Sequence, residues 1–142
     1  MECEFPTVNT NKDEIKEIFQ KTKTIAVIGC SPDESKASNM VAAYLKNAGY
    51  KMIPVYPKED IILGEKVYRS LSEIPCKVDM VNIFRKPDVI AQVIDECIAR
   101  GDIDCVWTQL GLVNNEAAAK AKECGMKVVQ NHCTKIEHKR LF

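Results

Sequence analysis

The sequence lacks an excess of either charge, a long apolar run and an N-terminal leader pattern. Twenty Lys and Arg residues balance twenty Asp and Glu residues, so there is no basic surplus of the kind that nucleic-acid and membrane-surface proteins use. No apolar run approaches the roughly 20 residues that a membrane-spanning helix needs. Met1–Thr10 lacks the basic region and apolar stretch of a signal peptide. We therefore expect neither a nucleic-acid partner nor a membrane partner.

The sequence also lacks the cysteine and histidine patterns of metal sites. Its seven cysteines are odd in number and scattered, and no two are spaced as C-x-x-C, so we expect no zinc site. Several lie in apolar runs, as small core residues do, which favours a reduced, cytoplasmic protein. Of the two histidines, His138 lies in a charged tail and is expected to be solvated. No general base is evident for Cys30 or Cys133 as a nucleophile.

What the sequence does contain is an alternation of apolar strands with helical patterns, over a length that suits one domain. Asn11 and Glu14 have the spacing of a capping box, which predicts an N-terminal helix ending near Lys21. The later predicted helices cover Ser38–Asn47, Pro87–Arg100 and Asn114–Cys124, with one helical turn from Thr134. The predicted strands, numbered one to six in chain order, are Thr24–Ile28, Lys51–Tyr56, Lys66–Tyr68, Asp79–Phe84, Cys105–Thr108 and Lys127–Gln130.

Short apolar strands that alternate with helices predict a parallel sheet covered on both faces, which is a doubly wound α/β fold. We predict the strand order 3-2-1-4-5-6, with a short third strand and a crossover before it that is too short for a full helix. We expect a single domain over residues 1–142, with residues 1–22 as a helical extension across its outside. Such sheets bind ligands beyond the carboxyl ends of the strands, at the switch point, here between strands one and four.

The turn after strand one predicts a phosphate site. Gly29-Cys30-Ser31 joins the strand to a helical pattern, and backbone N–H groups in such a turn favour an anion together with the helix dipole. Gly29 permits a tight bend and a close ligand approach. Ser31 and Ser38 add hydroxyl donors, and Lys36 adds a positive charge.

Two common nucleotide-binding motifs are missing from this turn. The G-x-G-x-x-G fingerprint of dinucleotide dehydrogenases would need glycines where Ser31 and Glu34 stand, and no acidic residue closes strand two. No G-K-[ST] follows Gly29, so the turn is not a Walker loop, which argues against nucleotide hydrolysis.

Six stretches cover nearly everything after about Lys23: AVIGCSPDESKAS, GYKMIPVYP, ILGEKVYRSLSEIP, VDMVNIFRKP, VWTQLGLVNNEAAAKAKECGMKVV and NHC. Together they resemble the small CoA-binding protein family, a stand-alone relative of the CoA-binding domain of the succinyl-CoA synthetase α subunit. The resemblance implies a Rossmann-like domain that binds coenzyme A or an acyl-CoA. CoA carries a pyrophosphate and a ribose 3′-phosphate, which suit separated cations such as Lys36, Lys58, Arg85 and Lys86.

The resemblance also implies which residues contact the ligand. The phosphates would be held by Gly29, Cys30, Ser31, Pro32, Lys36 and Ser38. Tyr56 and Pro57 would line the nucleotide side. The remaining family signatures are F-R-x-P at Phe84, Arg85 and Pro87, W-x-Q-x-G at Trp107, Gln109 and Gly111, and Asn131-His132-Cys133 where the synthetase domain carries Asn-Cys-Pro-Gly.

Two positions depart from the family. Cys30 replaces a residue that is usually small and not a thiol, and Tyr56 replaces a common asparagine. These 142 residues hold no counterpart of the synthetase's phosphohistidine-bearing domain, so we do not expect ligase activity.

Three functions stay open: a CoA-binding protein without chemistry of its own, a thiol or acyl transfer enzyme that uses Cys30 or Cys133, and a redox sensor that binds a nicotinamide dinucleotide.

Overall fold

The computed structural model describes residues 10–142. The helices are α1 Lys12–Lys21, α2 Ala37–Asn47, α3 Pro87–Arg100, α4 Asn115–Glu123 and α5 Thr134–Leu141, with a 3-10 turn at Leu71–Glu73. The strands are β1 Thr24–Ile28, β2 Lys51–Val55, β3 Ile61–Ile62, β4 Glu65–Lys66, β5 Met80–Ile83, β6 Cys105–Thr108 and β7 Lys127–Val129. The signal-peptide prediction concerns Met1–Thr10, and all of these residues except Thr10 lie outside the described range. Cys3 lies outside it as well.

The central sheet is parallel and contains five strands in the order β2-β1-β5-β6-β7. Every residue of β1, β5 and β6 is buried, as expected for strands covered on both faces. Ile28, the last residue of β1, lies beside Val55 of β2 on one side and Ile83 of β5 on the other. The predicted α/β class is confirmed, and the switch point lies between β1 and β5, which correspond to predicted strands one and four.

The predicted third strand, Lys66–Tyr68, is not a strand of this sheet. Instead β3 and β4 form an antiparallel hairpin, and only Tyr68 reaches the sheet, through a single parallel bridge to Val55. The hairpin turns at Leu63 and Gly64, which both have positive φ, as a two-residue type I′ loop requires. Because residues 61–66 pair with each other in this hairpin, Tyr68 alone extends the sheet beyond β2. The prediction that no full helix fits before this segment is confirmed.

Helices cover both faces of the sheet, as predicted for a doubly wound fold. One face packs α3, α4 and the 3-10 turn against alternate strand residues such as Ala26 and Val81. The other face packs α1, α2 and α5 against Ile25, Val27 and Trp107. Within residues 10–142, no helix combines the length and the apolar character needed to cross a membrane.

Helix α5 is longer than the single turn predicted and half-buries His138, which we expected to be solvated. Its face packs on α1 and α2, where His138 Nδ1 lies 2.7 Å from the Tyr44 hydroxyl. The His138 ring also stacks on Phe142 and meets Phe19 edge-on. Burial lowers the pKa of His138. The prediction of a solvated His138 is therefore wrong, because the ring packs among aromatic side chains, whereas the neighbouring Lys139 and Arg140 are exposed.

Candidate functional site

Two adjacent hollows open at the carboxyl edge of the sheet, one on each side of the switch point. The first, which we call the rim cleft, has a volume of about 240 Å³. It is bounded by the ends of β1, β2 and β5, by the segment before the 3-10 turn and by one face of α3. Its lining residues are Ile28, Gly29, Val55, Tyr56, Pro57, Arg69, Ser70, Leu71, Arg85, Val89, Gln92, Val93 and Glu96.

Gly29 brings the turn after β1 against the end of β5. Its φ is +83°, and a Cβ at this position would lie 2.9 Å from both the Phe84 carbonyl oxygen and Arg85 Cδ. Any other residue would thus meet backbone strain and a steric clash at the same time. This close approach places Arg85 at the floor of the switch point, beside the cleft.

The backbone N–H groups of the turn are used inside the protein, contrary to our expectation of exposed donors. The N–H groups of Gly29 and Cys30 donate to the Val55 carbonyl, at 2.9 and 3.3 Å. The Ser31 N–H donates to Ser38 Oγ at 3.0 Å. These bonds tie the turn to the edge of β2 and to α2, so the turn is a rigid support rather than an open nest of donors.

The rest of the loop before α2 is also held by its own side chains. Asn39 Nδ2 donates to the Ser31 carbonyl at 2.8 Å, and Asp33 accepts from both the backbone and the hydroxyl of Ser35. These hydrogen bonds from Ser35 lower the pKa of Asp33. Helix α2 begins after Lys36 with no side-chain cap. The Asn39 N–H donates to the Lys36 carbonyl, and the N–H groups of Ala37 and Ser38 have no partner among residues 10–142.

Two arginines line the rim cleft and differ in how they are held. Arg69 Nη1 lies 2.7–3.1 Å from three backbone carbonyls, those of Tyr56, Lys58 and Glu59, and so fixes the segment after β2. Arg85 makes no hydrogen bond or ion pair with any residue in the described range. Sequence reasoning predicted Arg85 but missed Arg69. The only sequence signal for Arg69 is its place directly after the predicted third strand, Lys66–Tyr68.

The second hollow, which we call the apolar pocket, has a volume of about 220 Å³ and lies on the α2 side of the switch point. Its walls come from the start of α2, the end of β5, the loop after β6 and the residue before α5. The residues that line it are Ala37, Val41, Phe84, Gln109, Leu110, Leu112 and Cys133. This pocket suits an uncharged, extended group, and the described residues contribute no charged side chain to its lining.

A buried polar cluster forms the back of the apolar pocket. Gln109 Nε2 donates to Asn82 Oδ1, and Asn82 Nδ2 donates to Thr134 Oγ1 at 2.9 Å. Asn82 and Thr134 are fully buried, and Gln109 is nearly so. Because buried polar groups are expensive to leave unpaired, this cluster fixes the Gln109 side chain against β5 and α5.

Two residues of the W-x-Q-x-G segment lie outside both hollows. Trp107 is completely buried, and its indole N–H donates to the His132 carbonyl at 2.8 Å. Gly111, with φ of +80°, receives support from Asn131, whose Oδ1 accepts the Gly111 N–H at 2.7 Å. The structure therefore places Trp107 in the core and Gly111 in the turn that carries Leu110 and Leu112.

The sequence-predicted residues fall into three groups. The rim cleft brings together Gly29, Tyr56, Pro57 and Arg85, and the apolar pocket brings together Phe84 and Gln109. The residues that border these hollows or lie beneath them are Cys30, Ser31, Pro32, Lys36, Ser38, Pro87, Trp107 and Gly111. Those that sequence reasoning missed include Arg69, Ser70, Gln92 and Glu96 in the cleft, and Ala37, Val41, Leu110 and Leu112 in the pocket.

The two cysteines considered as nucleophiles differ in environment. Cys30 is completely buried, and burial raises the pKa of its thiol to about 11. Desolvation in the core sets this pKa, so Cys30 is not activated as a nucleophile. Cys133 is only half-buried and lines the apolar pocket.

A larger hollow of about 390 Å³ lies at the opposite edge of the sheet, between α1 and the amino ends of β6 and β7. The charged residues around it already have partners. Lys127 pairs with Glu14 at 3.1 Å, and Lys21 pairs with Glu17 at 2.6 Å. We therefore place the candidate site at the carboxyl edge, where Arg85 is unpaired.

Comparison with known proteins finds similar sequences and folds over most of the chain. An uncharacterized protein of Bacillus subtilis, YneT, is 42% identical over 130 residues, which are 92% of this chain and 96% of that protein. The solved structure of a hypothetical protein from Pyrococcus horikoshii OT3 superimposes with a TM-score of 0.90 at 38% identity, over 99% of each chain. The α subunit of the ADP-forming acetate–CoA ligase II of Pyrococcus furiosus is 30% identical over 83% of this chain, which spans only 28% of that subunit.

The sequence profile of one protein family, described as a CoA binding domain, matches residues 23–139. That range runs from just before β1 into α5, so it includes both hollows and every strand of the sheet. With a family match over most of its length, and with the sheet, switch point and rim described above, the chain belongs to the CoA-binding domain family.

Proposed function

We propose that this protein binds coenzyme A or an acyl-CoA at the carboxyl edge of its sheet and carries out no chemistry of its own. The observation that carries the proposal is the pair of hollows that flank the switch point. The rim cleft contains an unpaired guanidinium, and the apolar pocket beside it contains no charged side chain. CoA has the same division, with a phosphorylated nucleotide at one end and an extended, uncharged pantetheine arm at the other.

In this arrangement the nucleotide occupies the rim cleft, between Tyr56-Pro57 and Arg85. The pyrophosphate lies at the start of α2, where the uncapped N–H groups and Lys36 favour an anion. Ser31, Pro32 and Ser38 shape the loop below it, and Gly29 and Cys30 anchor that loop to β2. Pro87 begins α3, and one face of that helix forms a wall of the cleft.

The pantetheine arm enters the apolar pocket past Phe84 and Gln109. Trp107 and Gly111 do not line the pocket. Their hydrogen bonds fix the loop after β6 and the segment before α5, which form its walls. Cys133 is the thiol of this chain that lines the pocket, and Cys30 is sealed in the core. Within residues 10–142 no cysteine is hydrogen-bonded to a histidine, which favours binding over thiol or acyl transfer.

We also propose that residues 1–142 act as one domain, with residues 1–22 as a helical extension, and that the protein is cytoplasmic. The six described thiols, all free, are consistent with a reducing compartment.

The test is direct measurement of the ligand. Mass spectrometry under native conditions, on protein purified without added ligand, is expected to show a CoA-sized adduct. Calorimetry should then show tighter binding of CoA than of NADH.

Lys36→Ala should weaken CoA binding about two- to fivefold by loss of an exposed charge. The matched control, Lys122→Ala, removes a lysine at the far edge and should bind as the wild type does. Tighter binding of NADH, or steady release of free acid from an acyl-CoA, would contradict the proposal.

A further inference from the structure

The rim cleft is electrically divided along its length. Arg85 follows the end of β5 and Arg69 follows the bridge at Tyr68, whereas Gln92 and Glu96 come from the second and third turns of α3. Burial raises the pKa of Glu96, and no neighbouring cation in the described range counteracts that effect. The arginines and the carboxylate are thus not partners of one another. A ligand that fills the cleft must present an anion at one end and a hydrogen-bond donor at the other.

The wall that α3 contributes has a regular pattern. Val89, Gln92, Val93 and Glu96 follow the i, i+3, i+4, i+7 spacing that places residues on one face of a helix. The two valines give an apolar strip, and the amide and the carboxylate border it one turn apart. Pro57 faces them from the segment after β2, as a second apolar surface. A flat ring with polar groups on its edge fits between two such surfaces.

Glu96 differs from the acidic residue next to it. Asp95 is exposed and pairs with Lys120 at 2.7 Å. Glu96 is half-buried and makes no hydrogen bond or ion pair with the residues that the structure describes. A desolvated carboxylate that lacks a partner carries a free-energy penalty, which a bound donor can relieve. The pairing of Asp95 and the isolation of Glu96 indicate that Glu96 is kept free for a ligand.

We propose that this wall of α3 recognises the adenine ring: Val89 and Val93 pack on its face, Glu96 accepts a hydrogen bond from the exocyclic amine, and Gln92 donates to a ring nitrogen. Adenine presents a donor and an acceptor side by side on this edge, which matches a carboxylate next to a carboxamide. Hypoxanthine replaces the amine with a carbonyl oxygen, which a carboxylate repels. This proposal rests on the proposed function, because it assigns the nucleotide half of the same ligand.

The test compares three fragments by calorimetry: adenosine 3′,5′-bisphosphate, its inosine counterpart and 4′-phosphopantetheine, which has no base. The wild type should prefer the adenosine compound about tenfold, the amount that one charged hydrogen bond contributes. Glu96→Gln offers a donor as well as an acceptor and should reduce that preference to about twofold or less. It should leave 4′-phosphopantetheine binding unchanged. Asp95→Asn removes the same charge one position away and should retain the wild-type preference.

The outcomes separate the two proposals. If the wild type binds neither CoA nor 4′-phosphopantetheine, the proposed function fails. If CoA binds but Glu96→Gln keeps the full preference for adenosine, or weakens 4′-phosphopantetheine to the same extent, the adenine assignment is overturned while CoA binding stands. Equal binding of the adenosine and inosine compounds by the wild type also overturns it.

Discussion

At the amino edge of the central sheet the charged side chains are paired, whereas at the carboxyl edge several stand unpaired. Asp79 accepts from the backbone N–H groups of Lys23 and Thr24, and Lys77 bridges it to the neighbouring loop. Arg85, at the other edge, and Glu96, on the α3 wall of the cleft that opens there, have no such partners among the described residues. The two edges terminate the same strands, so the fold does not require this difference. The charges at the amino edge are paired within the fold, whereas the unpaired charges at the carboxyl edge are the ones that the proposed function assigns to the ligand.

The largest effect is expected from Arg100→Ala, at the paired edge. The Arg100 guanidinium is 12% exposed, pairs with Asp102 at 2.8 Å and donates to the carbonyls of Leu71, Ile74 and Cys76. Its removal leaves a carboxylate and three carbonyls without their donor. The free energy of unfolding, measured in urea, should fall by about 3–5 kcal/mol. A loss under about 1 kcal/mol would show that the pairing at this edge is dispensable.

Gly29→Ala tests whether the close approach at the switch point matters beyond backbone strain. Gly125 is the matched control, because its φ is +88° but a Cβ there would meet nothing within 4 Å. We expect Gly125→Ala to lower the free energy of unfolding by about 1 kcal/mol, and Gly29→Ala by about 2–4 kcal/mol. Equal losses in the two variants would mean that Arg85 and the Phe84 carbonyl move aside at no cost.

Much of this difference between the edges lies beyond what the sequence can predict. The strands, the capped helices and the switch point follow from local patterns, such as Asn11 before α1 and Gly101 after α3. The reach of Arg69 back to the carbonyls after β2 depends on the hairpin that replaces the third strand. Likewise, whether a polar residue on α3 faces a cleft depends on what lies opposite it. Gln92 and Glu96 carry a helical spacing, but the spacing alone does not reveal the cleft.

Arg85→Gln should produce the opposite result to Arg100→Ala. Because Arg85 has no partner in the described range, its loss should change the free energy of unfolding by less than about 0.5 kcal/mol. CoA binding, in contrast, should weaken by about 1.5–3 kcal/mol as one charged contact is lost. Calorimetry with CoA and dephospho-CoA identifies that contact: if the variant loses the same free energy for both, Arg85 does not bind the 3′-phosphate. If Arg85→Gln has a lower free energy of unfolding and an unchanged affinity for CoA, Arg85 stabilises the fold and does not bind the ligand.

The smallest effects are opposite pH dependences for the two edges. Burial alone would raise the pKa of Asp79, but hydrogen bonds from Lys77, Thr24 and Lys23 outweigh it and lower that pKa. The stabilisation that Asp79 provides is present above its unfolded pKa of about 3.9, and is lost as pH falls through the lower folded value. Asp79→Asn should therefore lose about 0.2–1 kcal/mol at pH 7 and match the wild type near pH 2.

Glu96 should show the reverse sign. Burial raises its pKa, so the folded protein holds a proton that the unfolded chain releases, and Glu96 lowers stability as pH rises from about 4.3 through the folded pKa. Glu96→Gln should consequently be more stable than the wild type at pH 7 and equal to it at pH 3, in urea titrations of both proteins. Saturating CoA should remove this advantage, because the bound ligand gives the carboxylate its partner. If Glu96→Gln instead behaves like Asp79→Asn, Glu96 stabilises the fold, and the two edges use their charges alike.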